Sequence, residues 1–290
     1  MKKGLVFNIL TAVFVLAVCI GCGGGGSDRI RMTVEGSGEV TFRLFGSGMA
    51  TVDWGDGSDR TTLELSSGDG WGGGGTRFSK IFAGSGRHTI TITGNDIIGF
   101  TIGTGSSRTV RFSDGRWGSE HYYTGGELLT SLDVRRNPKL MTLTVRGTQL
   151  TSLDVSNNTA LTDLILRNNR LTSLNVSGNT ALTRLDVINN QLTSLNASGN
   201  RTLTRIYARN NQLTSLNVSS NTALRYLGVQ NNQFTNAAFN ALFESLPATS
   251  GMISINGNPG TDEARLGTRS DPRSNARPFT TIDTDWRVLN

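Results

Sequence analysis

Cysteine is nearly absent from this chain. Its two copies, Cys19 and Cys22, fall in the first 22 residues. Beyond them no disulfide, thiolate metal site or cysteine nucleophile is available. Histidine is as scarce, with only His88 and His121. His88 lies in the alternating stretch RHTITI and reads as structural; His121, in SEHYY beside Glu120, is the lone candidate base. No serine–carboxylate pattern completes a triad and no second histidine completes a metal pair. The glycine run near Trp71 lacks the lysine and helix of a phosphate loop. These absences argue against an enzyme and against a resident cofactor. Charged residues are few at 17%, and prolines number 5 against 36 glycines. With many Ser, Thr and Asn, that composition suits turn-rich β architecture rather than helical bundles. A length of 290 residues leaves room for two modest domains.

What is present begins with an address. Lys2 and Lys3 precede an apolar run, Leu5–Ile20, which is too short to span a bilayer and reads as an export signal. It closes on CIGC, which resembles the bacterial lipoprotein box, with small Gly21 before the cysteine and Cys19 where leucine is usual. That resemblance implies removal of 1–21, a lipid on Cys22 and a membrane anchor; the expected address is the outer membrane of the cell envelope, on its surface or its periplasmic side. The Gly23–Gly26 run then reads as a tether over 22–28. An ordinary secretory signal cut nearby is the alternative. Losing Lys2 and Lys3 takes the formal charge from +6 to +4, carried almost wholly by arginine. For an exported chain this argues against nucleic acid. It suits acidic glycans, anionic surfaces or simple solvation.

From 29 to 96 short alternating segments (RIRMTVEG, EVTFRLFG, MATVDWGDG, RHTITITG) are bounded by Gly, Ser and Asp turns, as in a small antiparallel sandwich. The segment ATVDWGDGSD (Ala50–Asp59), followed by FSKIFAGSGRHTITITG (Phe78–Gly94), resembles the PKD family of extracellular β-sandwiches, with Ile81-Phe82 where a histidine-tyrosine pair is usual. The resemblance implies a spacer or a protein- or glycan-binding unit. Asp53, Asp56 and Asp59 are spaced closely enough to gather round calcium. Alternatively, Asp56-Gly57 makes the turn and Asp53 caps backbone amides. Trp54 reads as core. Trp71, in a glycine loop, is either a sugar-stacking platform or a loop plug.

A repeat dominates from 97 to 233. Units start at Leu129, Leu150, Leu171, Leu192 and Leu213, a strict 21-residue period, with second halves at Leu140, Leu161, Leu182, Leu203 and Leu224. Both halves follow LxxLxLxxN, which resembles the short nested bacterial class of leucine-rich repeats. The whole chain resembles exported leucine-rich lipoproteins of Bacteroidetes-type bacteria. Physically, the three apolar residues of LxxLxL point inward on a short strand, and coils stacked about 4.8 Å apart share one core. The asparagine after each strand has the donors and acceptor to satisfy turn backbone that stacking buries. Ile97, Phe100 and Ile102 fit the same phrase and start the first coil off the sandwich, before a glycine-rich insertion at about 103–127. After Asn232, FTNAAFNALFESLP sets Phe234, Phe239, Leu242, Phe243 and Leu246 on one helical face. That predicts a helical cap over 234–290, completed by MISINGNPG and by DWRVLN with Trp286.

The two halves of each repeat evolve differently within this one chain. First halves repeat Thr-Ser outward, then Asp133, Asp154, Asn175, Asn196 and Asn217. Second halves vary. Their third positions are Thr142, Asp163, Arg184, Arg205 and Tyr226; their fifth are Thr144, Ile165, Asp186, Tyr207 and Gly228; their seventh are Arg146, Arg167, Ile188, Arg209 and Gln230. Strand alternation puts these columns on one outward face, with two tyrosines, many arginines and two isoleucines expected exposed. Arg and Tyr carry interface energy disproportionately. The expected function is therefore binding of a protein partner, host or bacterial, through Arg146, Arg167, Arg184, Arg205, Tyr207, Arg209 and Tyr226. The alternative is envelope glycan binding through the sandwich and the loops bearing Trp71 and Trp117.

Overall fold

The computed structural model describes residues 28–67, 75–103, 105–111, 117–123, 132–148, 150–248, 250–261 and 286–289. It is mainly β. The first seven strands are β1 (Asp28–Glu35), β2 (Gly38–Gly46), β3 (Met49–Asp53), β4 (Thr61–Glu64), β5 (Thr76–Phe82), β6 (Arg87–Gly94) and β7 (Ile97–Ile102). An antiparallel ribbon follows, β8 (Gly105–Arg111) with β9 (Trp117–Tyr123), inside the segment read as an insertion. The repeat supplies β10 (Leu132–Asp133), β11 (Thr142–Val145), β12 (Leu153–Asp154), β13 (Asp163–Ile165), β14 (Arg184–Asp186), β15 (Arg205–Tyr207) and β16 (Tyr226–Gly228). Helix α1 (Asn236–Glu244), β17 (Gly251–Ser254) and β18 (Trp286–Leu289) close the order.

Among the described residues, two large sheets run through both parts of the chain. One is six-stranded in the order β12-β10-β1-β6-β3-β4; the other is ten-stranded, β18-β17-β16-β15-β14-β13-β11-β7-β2-β5. β7 is the splice. It pairs antiparallel with β2 (Leu44 opposite Phe100) and parallel with β11 (Phe100 opposite Leu143). On the other side β1 pairs with β10, Arg31 opposite Asp133.

Alternation explains the N-terminal core. Val40, Phe42 and Leu44 of β2 point inward, as do Ala50 and Val52 of β3 and Ile90 and Ile92 of β6, all fully buried or nearly so. Phe42 is the hub: its ring lies 5.4 Å from Phe78, 5.8 Å from Phe100 and 5.9 Å from Trp54. Since Phe100 belongs to the first coil, the aromatic cluster crosses into the solenoid, and one hydrophobic core joins Ile30 to Trp286. Trp54 lies in it as expected, its Nε1 donating to Thr61 Oγ1 at 2.8 Å.

In the solenoid, strands pair in parallel with a constant 21-residue register: Asp163 opposite Arg184, Arg184 opposite Arg205, Arg205 opposite Tyr226. Inward leucines are buried on every described coil. Asn190 shows how the asparagine rung works. Its Nδ2 donates to the carbonyls of Leu166 and Val187, and its Oδ1 accepts from the Leu171 amide. Asn211 and Asn232 repeat these bonds one and two coils on. The residue before each rung is left-handed: Asn168, Asn189, Asn210 and Asn231 have φ between 52° and 57°. Gly147 and Gly257 hold the same turn at the two ends (φ 66° and 72°). The left-handed region excludes most side chains but tolerates asparagine and glycine, and there these asparagines add an exposed file of amides, Asn231 donating to Asn210 at 2.6 Å.

α1 lies within the segment whose pattern turns helical. Thr235 is its N-cap, accepting from the Ala238 amide, and Phe239 and Leu242 are buried. Phe239 stacks between Phe234 (5.1 Å) and Phe243 (5.8 Å).

Candidate functional site

The constancy of the first halves has a local cause. Oδ1 of Asp154, Asn175, Asn196 and Asn217 accepts the amide of the residue two further on, Ser156, Ser177, Ser198 and Ser219, at 2.9–3.1 Å. Each side chain closes its own turn, so only a short Asx residue serves. The bond also stabilises the charged form of Asp154, whose carboxyl titrates below the usual range chiefly because of Ser156. These positions are occupied with holding the coil.

Rung asparagines run through both halves, but the second-half turns are made by the left-handed Asn168, Asn189, Asn210 and Asn231, so the second halves need no Asx residue to close them. Their variable residues form the outward face of the ten-stranded sheet in three columns. The third column reads Thr142, Asp163, Arg184, Arg205, Tyr226 and then Met252 of β17. Met252 is 45% exposed. The periodicity missed it, because the helix between β16 and β17 stretches the spacing from 21 to 26 residues.

The fifth column is the floor of this face rather than part of its exposed surface. Thr144, Ile165, Asp186 and Ser254 are buried, and only Tyr207 rises half-exposed. Both isoleucines expected at the surface are covered, Ile165 at 2% and Ile188 at 9% exposure. Longer side chains from the flanking columns lean over the middle one. Gly228 makes this visible: a Cβ there would meet Gln230 Oε1 at 3.1 Å and the Tyr226 ring at 3.3 Å.

At the centre lies Asp186, fully buried. Its Oδ2 accepts from Arg167 Nε at 2.8 Å and Nη2 at 2.5 Å, and from Arg184 Nη2 at 3.2 Å. A buried carboxylate between two guanidiniums fixes both in place. Arg184 also sits over the Tyr207 ring, 5.2 Å to its centroid, and Tyr207 leans on Tyr226 with centroids 4.8 Å apart. The structure thus brings Arg167, Arg184, Tyr207 and Tyr226 into one contiguous cluster around Asp186. Arg205 and Arg209 stand exposed beside it, with no ion pair among the described residues. Arg146, half-buried, is two strands from Asp186, at the end of the seventh column nearer the sandwich.

The DWGDG turn is engaged with its own chain. Asp53 accepts the Gly55 amide and pairs with Arg60; Asp56 accepts the Ser58 amide and pairs with Lys80 at 2.6 Å. The hydrogen bond from Lys80 holds the Asp56 carboxyl well below the usual carboxylate range. Asp59 is exposed, and among the described residues no three His, Cys, Asp or Glu gather as a metal site. His88 stacks on Phe82 at 4.5 Å, in keeping with a structural role. Trp117 opens β9, while Cys22 and Trp71 lie outside the described residues. Among the described residues no helix is long and apolar enough to cross a membrane.

No protein-family model and no curated protein matches the chain. Among solved structures, the chain is similar to the functional domain of InlJ from Listeria monocytogenes, which includes a cysteine ladder. The identity is 24% and the TM-score 0.39, over 57% of this chain and 36% of that one. It is also similar to the internalin inlF of Listeria monocytogenes (23%, TM-score 0.40, 48% and 45% covered) and to a leucine-rich repeat protein of Leptospira interrogans (17%, 0.32, 47% and 48%). The match spans less than half the length of each. The parallel 21-residue register, with leucine inward and asparagine at the turns except where Thr148 stands, defines the repeat here. This part of the chain folds as a parallel β-solenoid of leucine-rich coils.

Proposed function

We propose that this chain is a non-enzymatic binding protein that captures a protein partner on the outward face of the ten-stranded sheet. The observation that carries this is the division of labour within each coil. The first halves spend their Asx side chains on closing turns and otherwise repeat Thr and Ser, while second-half side chains vary and assemble Arg167, Arg184, Tyr207 and Tyr226 around one buried carboxylate. Rigid aromatics and pinned arginines lose little conformational freedom on binding, which is why such residues dominate interface energetics. In the same reading, lipid on Cys22 and the tether over 22–28 hold the protein at the outer membrane. The PKD-like unit over 29–96 spaces the solenoid (97–233) from the anchor, and 234–290 caps it. The role is adhesion or host interaction, with no cofactor.

Replacing Tyr207 and Arg205 together by alanine tests it. Both side chains face outward, so melting temperature is expected to hold within a few degrees while capture of extracellular-matrix or bacterial surface protein falls by at least tenfold. Capture that survives the double change rules this face out; a positive glycan array with no protein capture turns the reading toward polysaccharide.

A further inference from the structure

The face is chemically graded along the solenoid, and the gradient names a partner. Its described carboxylates, Asp163 and Asp186, sit on β13 and β14. Asp186 is consumed by Arg167 and Arg184, and Asp163 accepts from Thr162 Oγ1 at 3.0 Å. Beyond β14 no acidic side chain occupies the columns. On the next strands Arg205 and Arg209 are exposed with no ion-pair partner among the described residues, and Tyr226 and the exposed Met252 follow on β16 and β17. Among the described residues, exposed cations therefore abut an aromatic and a thioether surface.

We propose that this end of the face is built for an acidic protein segment in extended conformation, its carboxylates drawn to Arg205 and Arg209 and a large apolar side chain over Tyr226 and Met252. This rests on the protein-binding reading above and deepens it. Arg205 and Met252 lie two strands apart, about 10 Å at the usual strand spacing. An extended peptide advances about 3.3 Å per residue, so the acidic and apolar positions fall about three residues apart. Asp186 holds Arg184, which lies over the Tyr207 ring, and that ring packs on Tyr226. Flexible, Met-bearing surfaces accommodate varied apolar groups, so the acidic position is the more selective of the two.

The test uses the full chain and a labelled peptide, Glu-Glu-Ser-Ser-Leu-Ser, presented at high density on beads. Three comparison probes accompany it: the same peptide with lysines for glutamates, the same with serine for leucine, and a heparin fragment. Saturable binding of the acidic-apolar peptide is expected, weakening as salt rises and at least tenfold stronger than binding of the lysine peptide. Arg205→Glu with Arg209→Glu is expected to abolish it. Arg170→Glu with Arg201→Glu, an equal charge change at exposed positions outside the columns, leaves it intact. Met252→Ser is expected to reduce it severalfold, to the level of the leucine-free peptide. Equal loss in both charge-reversed pairs overturns the proposal, as does retention of binding in the Arg205/Arg209 pair or a preference for heparin. If the peptide fails while capture of whole partner protein still depends on Tyr207, the face binds protein but not through this chemistry.

Discussion

At the residue scale, asparagine does two jobs that no other residue combines. In the rung it bridges coils: Asn211 Nδ2 reaches the carbonyls of Val187, Ala208 and Arg209, and Oδ1 takes the Leu192 amide. Asn211→Ala strands several buried backbone groups, and an equilibrium denaturation loss of roughly 2–4 kcal/mol is expected. One residue earlier, Asn210 holds φ at 57°. There Asn210→Gly is expected to be nearly neutral, and Asn210→Ala to cost about 1 kcal/mol of backbone strain. A larger loss at 210 than at 211 would reverse the two roles. Charge at single residues also sets acid sensitivity. Asp56 and Asp154 titrate lower in the fold than in the unfolded chain, so their contributions are present above the ordinary carboxylate range and vanish as pH falls through the folded values. Asp28, raised by burial, works in the opposite sense. Denaturant titrations from pH 7 to pH 2 are expected to show a shallower decline for Asp56→Asn than for the unaltered protein.

At the scale of elements, the repeated strands were legible because the 21-residue period states their register outright. The closing strands were legible as pieces but not as rungs. Asn258 continues the asparagine rung, donating to Val229 and Ile255 and accepting from Asn232 and Phe234, yet α1 displaces it from the period. Nor does alternation alone reveal that the fifth column is a covered floor, since that depends on how Tyr226 and Gln230 lean over Gly228. Strand β18 is held by a contact of the same kind. The Trp286 ring lies where a Cβ on Gly251 would be, 2.7–2.8 Å from its atoms, and its Nε1 donates to Pro247 carbonyl oxygen at 3.0 Å. Trp286→Ala is expected to cost about 3–5 kcal/mol, and Gly251→Ala to dislodge the ring, read as loss of the native tryptophan fluorescence shift. An unchanged spectrum in Gly251→Ala would contradict the packing.

Over the whole molecule, the segment read as a sandwich and the segment read as a solenoid share two sheets and one core. Local patterning shows each part but not the splice, because Arg31 and Asp133 pair across more than a hundred residues of chain. The consequence is cooperative unfolding. Calorimetry is expected to show a single transition, and Phe100→Ala, at the junction of Phe42 and the first coil, to lower it by about 3–5 kcal/mol without splitting it. Two separate transitions would mean that the splice does not couple the parts. Recognition is a property of the surface rather than of stability, and site-specific photocrosslinking reads that surface. A benzophenone side chain at Arg205 or Tyr226 is expected to crosslink the captured partner, whereas the same group at Ser173 or Ser194, on the constant halves, is expected to leave it untouched. Equal crosslinking from both sides, or crosslinking from the constant side alone, would contradict the assignment of recognition to the varying half of the repeat.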